Sequence, residues 1–176
     1  MSNERFPYLP LIVTAVLAIH SAPLSAEQQC LKRAWAAKDA QSYDAAIQAA
    51  DSCIHRFANA AKHKEEELRN LPLLGTGSLA PADRSRALTQ GILNDVAAAC
   101  VVKGESAEAL AQNHASDAAL KEDFKKVAIG AYEAALAYKH ARVLDPGPPE
   151  TFWSPCEAAA DHLQDLTGED RSKLCR

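Results

Sequence analysis

Acidic side chains are the first candidates for chemistry in this sequence. Glycoside hydrolysis needs two carboxylates that face each other across a cleft, one of them with a raised pKa. The only acidic run covers residues 65–67, and adjacent residues of a helix point about 100° apart. This run therefore predicts a solvated helix face. Asp161 and Asp165 share a helix face at i,i+4, but the sequence offers them no evident partner. The carboxylates predict no catalytic pair.

The histidines predict no metal site either. Two imidazoles four residues apart on a helix can bind one metal ion, and no two histidines in the chain have that spacing. Each is predicted to be a surface residue: His55, His63, His114, His140 and His162. The nucleophile elbow, the phosphate-binding loop and the dinucleotide fingerprint are all missing from the sequence. We therefore expect no catalytic residues, no metal and no cofactor, and an enzyme is disfavoured.

Charge and composition narrow the function classes and set the fold class. The chain carries 19 basic and 23 acidic residues, which argues against nucleic acid, because clustered Lys and Arg must neutralise phosphates there. It contains 36 alanines and 7 glycines. Alanine has the best helix propensity and lets helix axes approach closely. No segment alternates apolar and polar residues as a half-buried strand does, so the composition predicts an all-α fold.

The amino terminus resembles an export signal. Residues 11–19 form an uncharged apolar run, of the length of a signal-peptide core and shorter than the roughly 20 residues that span a bilayer. The small residues that follow place cleavage after Ala26, which predicts a signal peptide over 1–26 and a single domain over 27–176. The alternative is a first helix of the mature fold. We expect a periplasmic or secreted protein, with no membrane span after cleavage.

The five cysteines have no C-x-x-C spacing that would indicate a redox pair, a haem attachment or a zinc site. In an exported chain the default is disulfide formation. One cysteine must stay unpaired, and fifteen arrangements of two disulfides remain open at this point.

Helical periodicity predicts about five helices. The first covers 27–40, the second begins after Ser42 and ends near Arg69, and the third runs from Pro81 to about Asn113. A fourth begins at Ser116 or Asp117 and stops before Pro146. The fifth has a capping box at Ser154 to Glu157 and ends at Gly168. The fourth helix is expected to bury one stripe: Leu120, Phe124, Val127, Ala131, Ala135 and Tyr138.

Residues 41–57 resemble the second helix of a tetratricopeptide repeat. Such a helix has an aromatic residue at its start, then Ala-Ile, then small residues where helices cross. Tyr43, Ala46, Ile47, Ala50 and Cys53 match that order. Residues 93–104 partly match the first helix of a repeat, and residues 141–146 resemble its closing Leu-Asp-Pro. The resemblance covers about half of the mature chain and implies a short right-handed stack of antiparallel helix pairs with degenerate repeats; an unrelated helical bundle is the alternative.

This stacking implies a disulfide pattern and a binding surface. Cys30 and Cys53 would lie at matching levels of two antiparallel helices, Cys156 and Cys175 would tie the last helix to the tail, and Cys100 would be a buried free thiol. In the repeat family the first helix of each pair lines the concave, ligand-binding side. Carried over, the partner-binding residues are Gln28, Leu31, Trp35, Lys38, Asp39 and Asn94, with Ala98 and Val101 beside them.

The leading functional prediction is a non-catalytic adaptor that binds a peptide or helix of another protein on this concave side. The chain also resembles a group of small exported bacterial helical proteins, some of which are described as β-glucanase precursors. That resemblance implies the first alternative, a hydrolase or an accessory protein acting on cell-wall or glucan material. The second alternative is an inhibitor or immunity-type protein.

Overall fold

The computed structural model describes residues 24–176, which form six α-helices, one short hairpin and a 3-10 turn. Most of the predicted signal peptide therefore lies outside the described residues. The elements are α1 (Ala26–Asp39), α2 (Tyr43–Leu68), α3 (Pro81–Leu88), α4 (Gly91–Asn113), α5 (Ala118–Ala135), β1 (Val143–Asp145), β2 (Thr151–Trp153), α6 (Pro155–Thr167) and a 3-10 helix over Ser172–Cys175. The all-α prediction is confirmed, whereas the right-handed superhelical stacking stays a prediction.

Helix α4 lies at the centre of the fold. It packs against α1 and α2 on one side and against α5 and α6 on the other. Alanine makes this possible, because Ala97, Ala98 and Ala99 are completely buried and small side chains let neighbouring axes come close. The result is a buried helix whose outward-facing positions are few.

The predicted third helix is broken into α3 and α4. The break falls at Gln90, whose φ of −90° and ψ of 18° leave the helical conformation. Asn94 Nδ2 donates to the Ala87 carbonyl at 2.9 Å, and Asn94 Oδ1 accepts from the Arg142 backbone N–H at 2.8 Å. The side chain of Asn94 thus satisfies one backbone group of α3 and one in the segment after α5, which a continuous apolar pattern does not reveal.

The predicted buried stripe of the fourth helix is confirmed at Ala131, Ala135 and Tyr138 but is wrong for its first half. Leu120 and Val127 are 42% and 37% exposed, whereas Ala128 and Tyr132 are completely buried. Tyr132 is buried because Gly104 on α4 has no side chain and leaves the space that the Tyr132 ring fills. Helix α5 also ends at Ala135, well before Pro146.

A small antiparallel hairpin, which the sequence analysis did not predict, joins α5 to α6. Leu144 pairs with Phe152 between β1 and β2, and Phe152 also exchanges two backbone hydrogen bonds with Gly77 in the loop after α2. Gly77 has a φ of +80°, a conformation that favours glycine. The hairpin and this loop enclose a small cluster of Leu74, Ala87 and Phe152.

The two predicted disulfides are confirmed. Cys30 pairs with Cys53 and Cys156 with Cys175, each with a Cα–Cα distance of 5.6 Å, within the usual range for a disulfide. Cys100 is free and buried, and burial raises the pKa of its thiol to about 12. The first bridge fastens α1 to α2, and the second fastens the carboxyl-terminal turn to α6.

The ends of α1 and α6 are capped by local side chains. Ser25 Oγ accepts from the Gln28 N–H, and the Gln28 side chain accepts from the Ser25 N–H, a complete capping box. Ser154 Oγ accepts from the Glu157 N–H in α6, and Gly168 ends that helix in the left-handed conformation. Cleavage after Ala26 would remove Ser25, so the mature α1 would begin without its cap. None of the helices in residues 24–176 is long and apolar enough to cross a bilayer.

Candidate binding face

Trp35 and Lys38 stand on one side of α1, one turn apart. Trp35 is partly buried, and Lys38 Nζ lies 4.7 Å from the centre of its ring, a cation–π arrangement. The same Nζ is 2.5 Å from Glu105 Oε2 on α4. The aromatic ring, the cation and the carboxylate therefore lie on one continuous surface.

The surface continues from α4 to α6 through a charged histidine. His162 Nδ1 is 2.9 Å from Glu108 Oε1, and His162 Nε2 is 3.8 Å from Glu105 Oε1. These two carboxylates, Glu105 first, outweigh burial and raise the pKa of His162 to about 9. His162 is therefore a cation at neutral pH. We call Trp35, Lys38, Glu105, Glu108 and His162 the α1–α4–α6 face.

The carboxylates of this face are ionised. Burial alone would raise the pKa of Glu105 and of Glu108, but His162 together with Lys38 or Tyr132 holds both below the ordinary value. Tyr132 donates its hydroxyl to Glu108, and burial followed by this bond raises the pKa of Tyr132. The cluster thus consists of fixed, mutually compensated charges and a neutral phenol.

The predicted partner-binding residues divide between surface and interior. Trp35, Lys38 and the exposed Asp39 lie on the same side of α1. Leu31 and Asn94 are each 8% exposed, and the exposed Gln28 caps α1. The prediction that Leu31 and Asn94 contact a partner is therefore wrong. Leu31 packs in the core, and the Asn94 side chain bonds to backbone groups. Ala98 and Val101 are buried as well.

Four functional candidates were missed by the sequence analysis: Glu105, Glu108, Tyr132 and His162. The helical stripe that begins at Asn94, Ala98 and Val101 continues to Glu105 and Glu108 by steps of three and four. Extending it would have found both carboxylates. The partner His162 could not be found in this way, because only tertiary packing brings α6 beside α4.

Three histidines predicted at the surface, His114, His140 and His162, are partly or wholly buried. Besides His162, His140 is 7% exposed; its Nδ1 lies 2.7 Å from Glu65 Oε1, and its backbone N–H donates to Glu65 Oε2. The prediction that residues 65–67 form only a solvated face is therefore wrong for Glu65. No group of three His, Cys, Asp or Glu side chains that could hold a metal occurs among residues 24–176.

A second tryptophan borders the face. Trp153 on β2 is partly buried and packs, like Trp35, against the cluster formed by Cys30, Cys53, Ala98 and Val102. It lines an open groove together with Thr76 and Gly77, and with Glu157 and Asp161 on the first turns of α6. We call this the Trp153 groove.

The buried Arg142 is hydrogen-bonded to Ser154, one of the residues that line this groove. Its guanidinium, 2% exposed as part of the residue, donates to the carbonyls of Leu74, Gly75, Lys139 and Ala141 and to Ser154 Oγ. Burial lowers the pKa of Arg142, and the nearby Glu157 acts against that shift. Because most of its N–H groups are used on backbone, Arg142 fastens the loop after α2 to the segment before β1, and it does not line the groove.

Neither protein-family models, nor curated proteins, nor solved structures match this chain.

Proposed function

We propose that this protein is an exported, non-catalytic binding module that docks a peptide or helix of another protein on the α1–α4–α6 face. The observation that carries the proposal is the continuous surface from Trp35 through Lys38 and Glu105 to His162. It joins three helices that are not consecutive in the chain. Partly buried aromatic residues next to fixed charges are the side chains on which binding energy concentrates.

The packing order supports the stacked arrangement behind this proposal. Helix α1 contacts both α2 and α4, α2 contacts α4, and α4 contacts both α5 and α6. A stack of helix pairs produces this pattern, because each unit buries its apolar side against the next. If the short α3 is left out, α1, α4 and α6 are alternate helices of such a stack, and they then line one side. The two disulfides support export, because such bonds persist in oxidising compartments.

Site-specific photocrosslinking in the cells that produce the chain tests the proposal. A photoreactive residue replaces Asp39, which is exposed beside Trp35, or Asn59, an exposed control position on α2. We expect one defined adduct at position 39 and none at position 59, and we expect Trp35→Ala to reduce the adduct at least tenfold. Equal adducts at both positions, or an adduct unaffected by Trp35→Ala, would contradict docking on this face.

Incubating the purified protein with a panel of cell-wall and glucan polysaccharides distinguishes the hydrolase alternative from the binding proposal. The fixed charges of Glu105 and Glu108 lead us to expect no turnover. Reproducible turnover that disappears with Glu105→Gln or Glu108→Gln would replace the binding proposal with catalysis.

A further inference from the structure

The Trp153 groove presents negative charge around an aromatic ring. Among the described residues, its lining includes Trp153, Glu157 and Asp161 and no Lys, Arg or His. The two carboxylates are four residues apart on α6, so they project from one side of the helix. Both are exposed, and neither forms an ion pair within residues 24–176.

The local structure explains why a carboxylate is favourable at Glu157 but gives no such reason at Asp161. Glu157 is in the first turn of α6, where the helix dipole favours an acid, and it lies near the buried Arg142. Asp161 is one turn further along and has neither advantage. Like charges four residues apart on a helix cost stability, so this pair is unfavourable until a cation lies between them.

The neighbouring α1–α4–α6 face adds to the negative charge. Its cations, Lys38 and His162, are already paired with Glu105 and Glu108. Asp39 and Asp165, which flank them on α1 and α6, form no ion pair among the described residues. Lys121 and Lys125 border the cleft beside Asp165, so the uncompensated charge is greatest at Glu157 and Asp161. An aromatic ring beside unpaired carboxylates is complementary to a cation.

We propose that the partner segment is basic, and that one of its Arg or Lys side chains enters the Trp153 groove, over the Trp153 ring and between Glu157 and Asp161. This inference rests on the proposed function and names the chemistry of the segment that docks. Arginine fits best, because its planar guanidinium can stack on the indole and donate to both carboxylates.

The test uses the purified full chain and short peptides of defined charge. The probe is tri-arginine with blocked ends, and its control is tri-citrulline, which has nearly the same shape and no charge. Binding is followed by NMR through the indole N–H signals. The chain has only two tryptophans, so Trp35→Phe assigns both signals.

We expect tri-arginine to shift the Trp153 signal, to bind at least tenfold more tightly than tri-citrulline, and to weaken as salt is added. The double variant Glu157→Gln/Asp161→Asn should lose at least tenfold in affinity. The control Glu122→Gln/Glu133→Gln removes two exposed carboxylates from α5 and should change affinity less than twofold.

Three results would overturn the inference: no shift at millimolar tri-arginine, equal binding of tri-citrulline, or equal loss in both double variants. Its failure can be told apart from failure of the proposed function. A partner that crosslinks at position 39, depends on Trp35, and is recovered equally with Glu157→Gln/Asp161→Asn would leave the docking face intact and remove only the basic segment.

Discussion

The imidazole of His162 on α6 stacks on the phenol ring of Tyr132 on α5, with ring centres 4.7 Å apart and planes within 9° of parallel. Both side chains also contact Glu108 on α4. Three helices are thus joined at one point by a stacked pair and a shared carboxylate. Because the histidine is charged, this junction depends on pH.

We expect stability to fall as pH rises from about 6.5 to about 9. The pKa of His162 is raised from 6.5 to about 9 in the folded chain, so the folded state holds a proton that the unfolded state releases. The stabilisation is complete below pH 6.5 and is lost as pH passes through 9. Urea unfolding at several pH values should show this decline in the wild type and a flatter profile in His162→Gln. Identical slopes in the two proteins would show that the Glu105–His162–Glu108 contacts do not hold the proton.

The Tyr132 ring also makes position 104 a site that only glycine fits without overlap. A Cβ atom added at Gly104 would overlap Cε1, Cζ and Cδ1 of Tyr132, and overpacking of this kind costs about 1–3 kcal/mol. We therefore expect Gly104→Ala to lower the free energy of unfolding by that amount. The matched control is Gly130→Ala on α5, where nothing lies within 4 Å of the added atom; it should raise stability by about 0.5–1 kcal/mol. Equal effects of the two substitutions would place the Tyr132 ring elsewhere.

The sequence predicts most of the helices because their signals are local. Ser154 and Gly168 mark the ends of α6, and Asp117 caps α5. The cysteine pairs follow from the same helices, since Cys30 and Cys53 face each other once α1 and α2 are antiparallel. The site is less predictable, because Glu105 acquires its role from Lys38 and His162, which are far away in the chain.

Two predictions from helical periodicity were wrong for a similar reason: the buried residues of α5 and the continuous helix over 81–113. The burial of Tyr132, which the predicted stripe of α5 omits, follows from the gap at Gly104, and the break before α4 follows from the hydrogen bonds of Asn94. In the first case a residue of α4 decides which residues of α5 are buried, and in the second Asn94 also bonds to Arg142, which is far away in the chain. Periodicity within a single segment carries no information about such a partner.

The oxidised chain should contain two bridges and one protected thiol. Non-reducing peptide mapping is expected to find Cys30 with Cys53 and Cys156 with Cys175. Cys100, buried and with its pKa raised to about 12, should react with iodoacetamide only after unfolding. Replacing Cys30 and Cys53 together by serine should cost about 3 kcal/mol in the chain-entropy account of a loop of this length. A bridge that includes Cys100 would contradict the packing of α1, α2 and α4.

Removing one buried charge should stabilise the protein. Asp95 on α4 has a carboxylate oxygen, Oδ2, with no hydrogen-bond partner among the described residues. Burial, with a contribution from Glu27, raises the pKa of Asp95 from 3.8 to about 6. The folded state therefore favours the protonated form, and stability declines as pH rises from 3.8 to 6.

Asp95→Asn replaces the carboxylate by a neutral group of the same shape. After discounting for partial exposure to solvent, we expect it to raise the free energy of unfolding at pH 7 by about 1 kcal/mol and to remove the decline between pH 4 and 6. Glu122→Gln, an exposed charge change on α5, should do neither. A loss of stability at pH 7 in Asp95→Asn would mean that the ionised carboxylate is satisfied, and that the amino-terminal turn of α1 does not repel it.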